Sequence, residues 1–295
     1  MAEIIQRDGT WSFDGDTVRI VPGRDKGVHP ARQTLGERAV PLAAVAGIAY
    51  EPGRKAGRLR LRLREGSDPL MQATGGKLPD AADPYQLSVE PDRTGVAEYM
   101  VDEVRHALLL EQVPSGPCER FLLSGPDVPL SASAGDGTVF FDGEQIRLEW
   151  NWKTEQSKKS AGNRSFSVAD LAAVEWLPAI GLENGYLRFV LAQAATKAPP
   201  KYDPHSIELY GFRKDPLMAL VAAAVVARMP HPAAPAEPAR KAPSGEADGS
   251  TGTGFGADDH DALLRRLREL GELRQAGVLT EEEFTAAKQS VLRRF

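Results

Sequence analysis

The stretch Gly9-Thr10-Trp11-Ser12-Phe13-Asp14-Gly15-Asp16-Thr17-Val18-Arg19-Ile20 returns later in the chain as Gly137-Thr138-Val139-Phe140-Phe141-Asp142-Gly143-Glu144-Gln145-Ile146-Arg147-Leu148. Gly, Thr, Phe, Asp, Gly and Arg are shared in register. Each copy reads as a β-hairpin. The Asp-Gly pair tolerates the positive φ of a tight turn, and alternating apolar residues flank it on both sides. A fixed repeat organises everything around it, because a domain that recurs sets both fold and boundaries.

The correspondence continues outward in order. Arg38 to Val45, with Tyr50 and Pro52, matches Arg164 to Leu171, with Trp176 and Pro178. Gly57-Arg58-Leu59-Arg60-Leu61 matches Gly185-Tyr186-Leu187-Arg188-Phe189. Lys77 with Asp83-Pro84 then matches Lys197 with Asp203-Pro204, where Asp-Pro favours a turn before a final strand. Each copy ends in a helix. The first is expected over Val96 to Leu110, with Val96, Tyr99, Met100, Val104, Ala107 and Leu108 on one stripe. The second starts near Pro216 and runs to about Met229. It is apolar nearly all round, so it has to bury more than one face or meet a partner.

Six or seven short strands closed by one helix, with the run Val40-Pro41-Leu42, Val45 and Gly47-Ile48, resembles bacterial pleckstrin-homology-like (PH-like) domains. More narrowly, residues 1 to about 230 resemble a duplicated bacterial domain of unknown function with this PH-like character. That resemblance implies an α+β, mainly β fold. It predicts two tandem PH-like β-barrel or sandwich domains, each closed by a C-terminal helix, and it carries no catalytic motif. The expected boundaries are 1–112 for the first domain, 113–133 for a connection and 134–229 for the second domain.

Residues 230–256 are rich in Pro, Ala and Gly and poor in large apolar side chains, a composition that predicts a disordered linker. As a flexible coil it would span about 26 to 31 Å. Residues 257–295 predict a small α-helical hairpin. Leu263, Leu264, Leu267, Leu270 and Leu273 form one stripe, Gly277 suits a C-terminal cap, and Thr280 with Glu283 forms a capping box. Leu267, Leu270, Leu273, Gly277, Leu279-Thr280, Glu283-Phe284 and Lys288 together resemble the short C-terminal domain (SHOCT type) that ends many otherwise unrelated bacterial proteins. So small a unit buries too little core alone, which points to self-association or a protein partner. The residues expected at that contact are Leu267, Leu270, Leu273, Phe284, Val291 and Leu292.

Composition narrows the function classes. The net charge of −5 is spread along the chain, without the basic excess that binds a phosphate backbone, so no nucleic acid is expected. Cys118 is the only cysteine, which excludes an internal disulfide and a cysteine zinc site, and it suits the cytoplasm. No signal peptide is read at the N-terminus. The longest apolar run, Leu217 to Ala227, is short of the roughly 20 residues a membrane helix needs. The five histidines are scattered and no HExxH or GxSxG motif occurs. No metal, cofactor or enzymatic activity is therefore expected.

One further candidate is an anion site. Arg58, Arg60, Arg62 and Arg64 alternate with leucines and so share a strand face, with Arg54 and Lys55 in the adjoining loop. The main expectation is a binding or scaffolding protein, in which tandem domains form a platform and the hairpin oligomerises or recruits a partner. The alternative is a sensor of an anionic ligand or lipid headgroup, hence peripheral membrane contact, through that basic strand. Trp150, Trp152 and Trp176 are expected in a core or domain interface.

Overall fold

A computed structural model describes residues 1–193 and 196–234. The hairpin residues Leu267, Leu270, Leu273, Phe284, Val291 and Leu292 lie outside the described residues.

In the first repeat β1 (Ala2–Gln6), β2 (Gly9–Phe13), β3 (Thr17–Pro22) and β4 (Arg38–Pro41) form an antiparallel sheet in sequence order. A short helix, α1 (Pro30–Leu35), lies between β3 and β4. The second sheet is β5 (Val45–Glu51), β6 (Gly57–Leu63) and β7 (Gln86–Val89), with α2 (Pro69–Thr74) inserted before β7 and α3 (Thr94–Leu110) closing the repeat. The second repeat follows the same plan. Its first sheet is β8 (Leu130–Ala134), β9 (Gly137–Phe141), β10 (Gln145–Trp150) and β11 (Arg164–Ser167), with α4 (Gln156–Ala161) before β11. Its second sheet is β12 (Leu171–Leu177), β13 (Gly185–Leu191) and β14 (Ser206–Leu209), followed by α5 (Pro216–Val226).

The matched hairpins fold alike. In each, the turn aspartate accepts two backbone N–H bonds: Asp14 from Asp16 and Thr17, and Asp142 from Glu144 and Gln145. The glycine after it has φ of 115° at Gly15 and 118° at Gly143, where a side chain would be strained. Those N–H bonds hold both carboxyls below the usual aspartate range.

Each repeat is a pair of sheets and not the closed barrel that was one of the expected forms. Pro41 ends β4, and a 3-10 turn at Leu42–Ala44 separates it from β5, so no ladder continues across. At the other edge of the first repeat side chains replace the ladder. Ser88 N donates to Asp8 Oδ2 and Glu90 N to Gln6 Oε1, both at 3.2 Å, joining the β7 side to the β1 side.

The helix α3 buries Ala97, Met100, Val101 and Val104 against its own sheets, while Tyr99, expected on that stripe, is half exposed. The helix α5 behaves differently: Met218 to Val225 are at most 2% exposed. One side packs on β8, β9 and β12, and the other meets α1 and α2 of the first repeat, so Ala31, Leu70, Ala73 and Ala82 belong to the second repeat's core. This second neighbour explains why α5 lacks a polar face. Both repeats fall within one compact unit.

The connection between repeats is laid onto the first of them. Cys118 N donates to Glu65 O, Leu122 N and Leu123 N donate to Ser67 O, and Arg64 Nε donates to Gly116 O. The Cys118 side chain is buried there.

Candidate functional site

The strand β6 places Leu59 and Leu61 in the core and turns Arg58, Arg60 and Arg62 outward, as its alternation requires. The four arginines do not act as one free patch. Arg58 and Arg60 both approach Asp80, at 2.9 and 3.7 Å. Arg64 is spent on carbonyls, donating to Gly116 O at 2.9 Å and Ala43 O at 2.8 Å. The Arg62 guanidinium lies over Gly47, on the neighbouring strand. Arg54 and Lys55 are exposed in the β5–β6 loop.

A cleft of about 270 Å³ adjoins this strand, lined by Asp8, Arg32, Gly57, Arg58, Asp80 and Gln86 among others. A second, of about 470 Å³, shares Asp8, Ala56 and Ser88 with it and adds Arg7, Asp25, Lys55 and Glu90. Together they form a groove of mixed charge along the gap between β1 and β7. At its floor Arg32 Nη1 pairs with Asp8 Oδ2 at 3.2 Å, while Arg32 Nε and Nη2 are buried without a hydrogen-bond partner among the described residues.

The second repeat carries the same device with different chemistry. Asp136 stands where Asp8 does, just before the hairpin, and Lys158 on α4 stands where Arg32 does on α1. Lys158 is fully buried; its Nζ lies 2.7 Å from Asp136 Oδ2 and 2.8 Å from Ser206 O. Asp136 also accepts from Glu208 N, as Asp8 does from Ser88 N. Burial raises the Asp136 carboxyl, opposed by the Lys158 charge. This duplicated pair was not legible from the sequence, because one basic residue on a short helix ordinarily faces water.

A third buried cluster belongs to the first repeat. Asp68, the N-cap of α2, accepts from Arg38 Nη2 at 3.2 Å and from Tyr85 Oη at 2.8 Å, and Arg38 Nη1 donates to Ser124 O of the connection. Burial raises Asp68, against the Arg38 charge, and raises Tyr85 well above the ordinary phenol. The matched loop of the second repeat replaces Tyr85 by His205. There Asp203 lies 3.0 Å from Arg188 Nε. Burial pushes Asp203 up, but the bonds from His205 and the Arg188 charge outweigh it and hold the carboxyl low.

The tryptophans separate. Trp176 is core, Trp150 is partly buried with Nε1 donating to Gly162 O, and Trp152 is exposed. Among the described residues no group of three or more His, Cys, Asp or Glu is gathered as metal ligands, and no helix is long and apolar enough to cross a membrane.

Comparison with known families agrees with the repeat. The model of a domain of unknown function, DUF4429, matches residues 11–105 and again 139–226. That of the short C-terminal domain, SHOCT, matches residues 265–292. No curated protein matches the chain.

Proposed function

For a chain that belongs to the DUF4429 family and carries its domain twice, ahead of a short C-terminal domain, we infer a non-enzymatic scaffolding role. The tandem repeats, read as PH-like modules, serve as a cytoplasmic platform, and the C-terminal hairpin gathers a second copy or another protein. The observation that carries this reading is α5, packed between the second repeat's sheets and α1 and α2 of the first. A helix shared in this way makes two domains one rigid body, as a platform requires. The buried ionisable groups support the same reading, since Asp68, Asp136 and Asp203 are tied to internal donors and contribute to the fold.

The test is absolute mass by light scattering across concentrations, for the full chain, for Leu270→Asp and Phe284→Asp, and for a chain ending at Pro232. Loss of association in all three altered forms supports the hairpin as the contact. Association unchanged in all three would move it to the repeats.

A second reading, an anionic ligand on the first repeat, is favoured by one observation: the unpaired donors of Arg32 beside Arg58 and Lys55 in the groove. Co-sedimentation with anionic vesicles, compared with Arg58→Glu and Lys55→Glu, tests it. Binding that falls with these charges and with salt supports a headgroup site; no binding by the wild type removes it.

A further inference from the structure

The second repeat exposes a cluster that its role as a platform does not use. The loop after β10 presents Trp152 and Lys153, and the loop after β14 presents Tyr210 and Phe212. The Lys153 ammonium lies 5.5 Å from the Trp152 ring centroid, 5.6 Å from Tyr210 and 5.2 Å from Phe212, within the range of a cation–π contact. Among the described residues Lys153 Nζ makes no ion pair and no hydrogen bond, so the rings are its contacts. Trp152 is 81% exposed and Phe212 57%, far more than aromatic rings of a core.

Both loops are held in place. Lys153 N donates to Asn151 Oδ1 at 2.8 Å, Asn151 N to Thr154 Oγ1 at 3.2 Å, and Lys159 Nζ to the Trp152 carbonyl at 3.1 Å. Opposite, Asp215 Oδ2 accepts from Gly211 N at 2.7 Å and Phe212 N at 3.2 Å. The backbone that carries the rings is thus set in advance of a ligand, which lowers the entropy cost of ordering the loops on binding. Burial first, then the charges of Asp136 and Glu208, push the Tyr210 phenol up to about 12. Of the nearby carboxylates, Asp136 is paired with Lys158 and Glu155 with Lys201.

The fold does not demand these rings. At the matching turn of the first repeat, Glu90-Pro91-Asp92 stands in place of Tyr210-Gly211-Phe212, and Lys26-Gly27 in place of Trp152-Lys153. We propose that Trp152, Tyr210 and Phe212 form an aromatic site for an alkylammonium group, that of a small quaternary amine or of a methylated lysine on a partner, which Lys153 occupies until the ligand displaces it.

The experiment is calorimetric titration of the full chain with choline, with its uncharged isostere 3,3-dimethylbutan-1-ol, and with a short peptide carrying trimethyllysine. The expected result is saturable choline binding, weaker isostere binding, tighter binding by Lys153→Ala, and about two- to fivefold weaker binding by Phe212→Ala. Trp152 is exposed, so Trp152→Ala keeps the fold and is expected to lose binding. A peptide that binds more tightly than choline assigns the site to a partner protein, and equal affinity assigns it to a small amine. Equal binding of choline and the isostere, no binding at all, or a response to anionic vesicles alone would overturn the proposal.

Discussion

The helices α3 and α5 hold the same place in their repeats and have opposite surfaces. The first keeps a single buried stripe with exposed residues opposite; the second is apolar throughout and buried from Met218 to Val225. What differs is the number of neighbours, because α3 covers only its own sheets while α5 also meets α1 and α2 across the molecule. The composition of a closing helix therefore reports how many surfaces it must join. The ion pairs beneath the two hairpins make the same point about burial. Arg32 keeps a partly exposed partner in Asp8, whereas Lys158 and Asp136 are sealed together.

That second contrast predicts the largest effect. Lys158→Ala leaves the buried Asp136 carboxylate without its cation, held only by the Glu208 N–H, and is expected to cost about 3–5 kcal/mol in urea unfolding. Arg32→Ala, with Asp8 still reached by water, is expected to cost less, about 1–3 kcal/mol. Equal losses would show that the two pairs are energetically the same. Next, Leu70→Ala is expected to cost about 2–5 kcal/mol and, although Leu70 lies in the first repeat, to speed amide hydrogen exchange in α5 of the second. Unchanged α5 protection would refute the shared core. Smaller still are Gly15→Ala and Gly143→Ala, each expected to lower stability by about 1–2 kcal/mol for a turn of nearly the same φ, with Gly143→Ala the costlier because its added Cβ meets Val128 Cγ2 at 3.3 Å while that of Gly15 meets open space. Thermal melts in which Gly15→Ala loses more than Gly143→Ala would break the equivalence of the two turns.

The smallest effect concerns pH. His29 caps α1 through its side chain, accepting from Ala31 N, next to Arg213 of the second repeat, which donates to Val28 O at 3.0 Å. Burial and then the Arg213 charge lower the His29 pKa below the unfolded value of about 6.5. A lowered value means that the unfolded chain takes up the proton first. The stabilising contribution is complete above pH ~6.5 and is lost as pH falls through the folded value. His29→Asn keeps a capping side chain and is expected to flatten this part of the stability profile. A slope unchanged in that variant would assign the pH dependence to other groups.

Much of the fold was legible because strands and hairpins announce themselves locally. Asp14-Gly15 and Asp142-Gly143 fix two turns, and alternating Leu59, Leu61 and Arg58, Arg60 fix the faces of β6. The short helices α1, α2 and α4 were missed, although Asp68-Pro69 followed by Gly75 spells an N-cap, a first-turn proline and a left-handed C-cap for α2. They lie where the two copies diverge, so comparison of the repeats concealed them. The basic strand was legible as a face but not as a site, because Asp80, which pairs with Arg58 and Arg60, comes from a distant loop. Trp152 was expected inside with Trp176. Its exposure depends on an Asn151 turn that only the folded backbone displays.

The sharing of α5 also bears on synthesis. The first repeat has all of its own strands and α3 once Leu110 has left the ribosome, yet Ala31, Leu70 and Ala73 acquire their cover only when Pro216–Val226 is made. During that interval a nascent chain displays a bare apolar face on an otherwise finished domain, which invites a chaperone or the same face of another nascent chain.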